Sequence, residues 1–148
     1  MPQFVVLTRA DGTVAVMTFP GMPTPSDIAA ELAKMPGQQF VSHRLLDAAE
    51  LPSTREYRDA WTDSGSGPLS HDMPRAREIH KARLRAERAP LLAALDVEYQ
   101  RAIEANDSGR KQRVAATKQR LRDVTADPRI QAAETIDALA AVQVEAPT

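Results

Sequence analysis

Three histidines, His43, His71 and His80, and no cysteine make up the whole stock of imidazole and thiol groups in a chain of 148 residues. No histidine stands three or four residues from another and no His-Glu-x-x-His run occurs, so no helix would present two imidazoles to one metal ion. The missing cysteines remove thiol nucleophiles, disulfides, zinc knuckles and iron–sulfur clusters together. The glycines flanking Ser66 lead into Pro68 rather than into a helix, and no Gly-x-Ser-x-Gly elbow exists to expose a serine nucleophile. Glycine-rich phosphate loops are absent as well. These residue types point away from an enzyme, with no catalytic residue, no metal and no cofactor expected; His80, on an apolar stripe, reads as a partly buried packing residue.

What remains is charge and shape. The formal net charge of −1 hides three blocks: residues 1–74 carry 5 Lys/Arg against 9 Asp/Glu, residues 75–122 carry 13 against 6, and residues 123–148 carry 1 against 5. The basic block holds Arg75, Arg77, Lys81, Arg83, Arg85 and Arg88, then Arg110, Lys111, Arg113, Lys118, Arg120 and Arg122. Phosphates would be one partner for such strips. The first six advance by irregular steps round a helix, however, and no aromatics interleave for base stacking. Pairing with Glu78, Glu87, Glu98 and Glu104, or with the acidic flanks of this chain or a neighbour, is the plainer use. A chain with only six aromatics places Tyr57 and Trp61 four residues apart, where they either anchor a partner or pin their own segment onto the N-terminal module.

The elements that must position these groups follow from local pattern. Phe4–Thr8 and Thr13–Phe19 are β-branched and aromatic runs joined at Asp11-Gly12, a hairpin signal. Thr24, Pro25 and Asp27 open a short helix through Ile28, Leu32 and Met35 that Pro36-Gly37 stops. Residues 40–46 return as a third strand, giving a ββαβ unit with a core of Val5, Leu7, Val14, Val16, Ile28, Leu32, Val41 and Leu45. Ser53 and Glu56 have capping-box spacing ahead of a short helix carrying Tyr57 and Trp61, and residues 62–69 read as a flexible link. Met73, Ala76, His80, Leu84, Leu91, Leu95, Tyr99 and Ala102 recur at helical spacing over one long helix near 73–105, with a kink or break expected at 86–90 because Pro90 removes a backbone hydrogen bond. Residues 106–109 turn into a second helix with a seam of Val114, Thr117, Leu121 and Val124, followed by short helices starting at Asp127-Pro128 and Thr135 and a frayed tail from Glu145. The fold class is therefore α+β: a small N-terminal module over 1–50, a linker with a short helix over 51–72, and over 73–148 a mainly helical half built on a long, kinked antiparallel helical hairpin. Two helices make a thin core, so self-association as a homo-oligomer or a partner helix is a natural complement. No apolar run approaches the ~18 residues of a membrane span, and the start MPQFVVLTRADG lacks a basic region followed by a long apolar stretch. The chain reads as cytosolic, unprocessed and without a membrane partner.

Arg88-Ala89-Pro90-Leu91-Leu92, then Asp96, then Lys118-Gln119-Arg120-Leu121-Arg122-Asp123 resembles the C-terminal signature of the bacteriophage tail-fibre assembly proteins, a chaperone-like family. The resemblance covers about a quarter of the chain; the Asp-Trp that follows Leu-Leu in that family is here Asp96-Val97, and the tryptophan lies upstream. Segments 55–61 and 72–80 look like parts of small phage and prophage proteins. The resemblance implies a non-catalytic tail or tail-fibre accessory that binds a tail component and assists its assembly or attachment, working in the host cytoplasm. Its contact residues would be Tyr57, Trp61, Arg88, Leu91, Leu92, Leu95, Tyr99, Arg120, Leu121 and Arg122. The alternatives are a structural virion component of the neck, tail tip or baseplate, and a small nucleic-acid-binding protein, the less favoured of the two.

Overall fold

The computed structural model describes residues 3–145 and divides at 72/73 into two compact units. It is an α+β chain: a three-stranded sheet with one helix, then a helical half.

In the first unit β1 (Phe4–Arg9) is central, antiparallel to both β2 (Val14–Thr18) and β3 (Phe40–Leu46). The Asp11 carboxylate accepts from the Thr13 N–H at 2.9 Å and its hydroxyl at 2.6 Å, and Gly12 takes the φ of 83° that the turn requires. α1 (Pro25–Ala33) opens on a reciprocal cap. The Thr24 hydroxyl accepts from the Asp27 N–H at 3.2 Å, and the Asp27 carboxylate accepts from the Thr24 N–H at 2.8 Å, holding that carboxyl below its usual range.

The sheet is covered on both faces, which corrects the single core expected. Val5 and Leu7 pack with Ile28, Leu32, Met35 and Leu45, whereas Val6 and Leu46, with Val14 and Val16, pack against Leu51, Trp61 and Leu69. Period-2 alternation puts Val14 and Val16 on the face away from α1. Val41 is 66% exposed and outside the core. Arg9 pairs with Phe40 while Thr8 pairs with Ser42, so Val41 is the extra residue of a β-bulge.

The expected linker over 51–72 is the second cover of the sheet. Instead of a helix carrying Tyr57 and Trp61, there is a single 3₁₀ turn, Arg58–Ala60, and Trp61 begins β4 (Trp61–Thr62), which pairs with β5 (Ser70–His71). Too few residues separate the turn from the strand for a helix to propagate, and the backbone takes ladder partners instead. The loop between β4 and β5, expected as a flexible link, is tied to the sheet by side-chain bonds: Gly65 and Gly67 sit at φ of 98° and 70°, and the Arg44 guanidinium grips the Asp63 carboxylate through Nε (3.0 and 2.9 Å) and Nη2 (2.7 Å) while donating to the Gly67 carbonyl at 2.6 Å.

In the second unit α2 (Met73–Glu104) runs through Pro90 without the expected break. Ala86 and Pro90 are both exposed, so the carbonyl deprived of its donor is open to water. Asn106 ends the helix in the left-handed region at φ 52°, and the Asp107 N–H bonds the Ala102 carbonyl at 2.9 Å, a C-terminal cap of the Schellman kind. Asp107 then caps α3 (Ser108–Asp123), accepting from the Arg110 N–H at 2.9 Å. α4 (Pro128–Ala132) and α5 (Ile136–Ala140) start on Asp127 and Thr135. Beyond Glu145 the expected tail lies outside the described residues. Among the described residues no helix is long and apolar enough to cross a membrane.

Candidate functional site

The ten contact residues expected from the sequence are not all at the surface. Tyr57 and Trp61 belong to the first unit and are buried in it, 1% and 3% exposed. Trp61 packs with Val6, Leu46 and Leu69, and the Tyr57 and His71 rings stand nearly perpendicular with centroids 6.4 Å apart. Their side chains are core and offer a partner no anchor, as expected when a small sheet needs large apolar groups to cover its second face. Burial pushes the His71 imidazole below its usual pKa.

Arg88 and Leu121 are also committed internally. One guanidinium nitrogen of Arg88 reaches the Leu121 carbonyl at 3.1 Å, the Arg122 carbonyl at 2.6 Å and the Thr125 hydroxyl at 3.4 Å. It thus satisfies the carbonyls that the end of α3 leaves without helical partners and places a cation at the negative end of that helix. Leu121 is buried. Arg120 is exposed, donating to the Thr117 hydroxyl at 3.2 Å, and the exposed Arg122 side chain has no partner among the described residues.

Leu91, Leu92, Leu95 and Tyr99 fall together on the second half of α2, and each is half-buried. Residues 84, 88, 91, 95, 98 and 102 step by four and three, the seam of an antiparallel pair with Arg110, Val114, Thr117 and Leu121 of α3. Polar groups close the seam. Glu98 accepts from Arg110 and, at 3.0 Å, from Arg101, and Arg110 above all holds its carboxyl low. Lys118 lies 2.5 Å from Asp96 and 5.2 Å from the centre of the Tyr99 ring.

The first half of α2 is covered differently. Ala76, His80 and Leu84 are buried; α5 lies against the helix; the His80 Nε2 bonds the Val142 carbonyl at 2.7 Å; and Arg77 donates to the Ala133 carbonyl at 2.8 Å. His80 is therefore a buried clasp for the C-terminal segment. A cleft of about 640 Å³ at the end of α3, lined by Arg120, Asp123, Val124, Asp127, Arg129 and Glu145 among others, has the size of a small-molecule site. Within it Arg129 pairs with Asp127 at 2.7 Å.

Sequence reasoning missed three residues beside the half-covered seam: Ile103, 46% exposed, and Lys111 and Lys118. The signal was present in their offset from the seam, since Lys111 and Lys118 each follow a seam position by one residue. Compared with known proteins, the chain matches no family model, no curated protein and no solved structure.

Proposed function

We propose that the chain is a non-catalytic accessory protein that binds a phage tail or tail-fibre component through the second half of its helical hairpin and assists that component's assembly or attachment in the host cytoplasm. The observation that carries the reading is the uneven cover of α2. Leu91, Leu92, Leu95 and Tyr99 are only half-buried, whereas Ala76, His80 and Leu84 are buried. A thin apolar seam with a third side unfilled is what a partner helix, or a second copy, would complete. The tail setting comes from the likeness of residues 88–124 to tail-fibre assembly proteins.

Co-expression with a phage tail-fibre protein tests it: a complex that co-purifies supports the reading, and its absence refutes it. Retention in the particle is the alternative, and mass spectrometry of purified particles separates the two, since an assembly factor is missing or present at traces while a structural subunit is stoichiometric. A nucleic-acid reading draws on Arg85, Lys111, Arg113, Arg120 and Arg122, all exposed without an ion-pair partner among the described residues. It requires retention on DNA that falls steeply with salt.

A further inference from the structure

Resting on that binding reading, the geometry points to the occupant: an acidic amphipathic helix of the partner protein, seated in the groove on one side of the hairpin. Lys118, in contact with both Asp96 and Tyr99, marks the side where a flank of α3 meets a flank of α2. At 100° per residue, Leu92, Tyr99 and Ile103 share that side of α2, offset by seven and eleven residues. Lys111, Lys118 and Arg122 share the facing flank of α3 at the same offsets. The groove thus has one apolar wall and one cationic wall, each about 16 Å long at 1.5 Å per residue. The Lys118–Asp96 pair bridges the floor of this groove, and Glu98 with Arg101 and Arg110 bridges the opposite side of the hairpin. Ile103 is nearly half exposed, and the Lys111 and Arg122 side chains have no partner among the described residues.

A helix fits both walls at once. Its apolar face would meet Leu92, Tyr99 and Ile103, and carboxylates about three turns apart would meet Lys111 and Arg122, as flanking charges do in a three-helix packing. A nucleic acid fits one wall only. Phosphates gain nothing from Leu92 and Ile103, and Asp96 stands on the apolar wall between Leu92 and Tyr99, where a helix can place an uncharged residue.

The test is fluorescence anisotropy of the full chain with three probes. These are a synthetic amphipathic peptide of about three heptads with leucine at its seam and glutamate flanking it, its twin with lysine for glutamate, and a labelled DNA duplex. The acidic peptide is expected to bind, with affinity falling about tenfold or more from low to high salt, and its twin is not. Lys111→Glu with Arg122→Glu should abolish that binding and admit the lysine peptide, with the helical circular dichroism signal unchanged because both positions are exposed. Arg113→Glu, on the other flank, should change affinity less than about threefold. Equal binding of the twin peptides, equal effects of Lys111→Glu and Arg113→Glu, or tighter binding of DNA would overturn the assignment. If the tail component still co-purifies with the double variant, the groove is wrong and the broader binding reading stands. If the peptide binds but no tail component co-purifies with the unaltered chain, the groove stands and the tail setting falls.

Discussion

The two halves of α2 share one heptad-like pattern and meet different fates. From Ala76 to Leu84 the seam is buried, with Arg77 and His80 tied to the segment that carries α4 and α5. From Leu91 to Tyr99 it is half-buried and bordered by lysines and arginines. Periodicity reports which face of a helix is apolar, but how much cover that face receives depends on elements that return from far along the chain. The half with too little cover is the half to which we assign contact.

Truncation should separate the halves most sharply. Leu84→Ala empties a buried site and should destabilise the second unit by about 3 kcal/mol, read by chemical denaturation, whereas Leu92→Ala should cost less than about 1 kcal/mol while weakening the partner complex. Equal costs would break the comparison.

The next largest effect lies in the first unit, where cover of the sheet depends on an ion pair. Asp63→Asn would leave the Arg44 guanidinium, 22% exposed, without its carboxylate and should cost about 2 kcal/mol. Arg44 holds the Asp63 carboxyl below its ordinary value of 3.8. The unfolded chain therefore takes up that proton at higher pH than the folded one. The stabilisation is complete above the ordinary value and is lost as pH falls through the lower folded value. Acid titration of Trp61 fluorescence should show this loss in the original chain and a smaller one in Asp63→Asn.

Pro90→Ala should have a smaller, opposite effect, raising stability by about 1 kcal/mol, because it restores a backbone bond at an exposed position of a helix that already runs through it. Thermal melts check the sign, and a decrease would show that the proline is needed where it stands.

The pattern of Leu, Ala and His residues from 73 to 102 made the long helix and its partner α3 legible in the sequence, as Asp11-Gly12 did the first hairpin and Thr24-Pro25 the first helix. The cover of the second sheet face was not, because Trp61 and Leu69 reach Val6 and Leu46 across a separation that local spacing does not report. Nor was the bulge at Val41, since the inserted residue shifts the alternation by one and puts Phe40 rather than Val41 on the face with Leu45, a shift that shows only once the pairing is known. At the candidate site the apolar line Leu91, Leu92, Leu95 and Tyr99 was visible. Arg88 was misread, because a cation on a helix surface looks the same in sequence whether it faces solvent or caps the end of another helix. Ile103 and Lys111 emerged only when the antiparallel pairing set two flanks side by side.

Residue-resolved amide hydrogen exchange, run on the free chain and again with the acidic peptide, tests the difference between the halves of α2 most directly. The account predicts that amides of 76–88 exchange at rates set by global unfolding, that those of 91–104 exchange faster in the free chain, and that peptide slows only the second group together with 111–122. Uniform protection along α2 in the free chain, or slowing confined to 76–88, would contradict it.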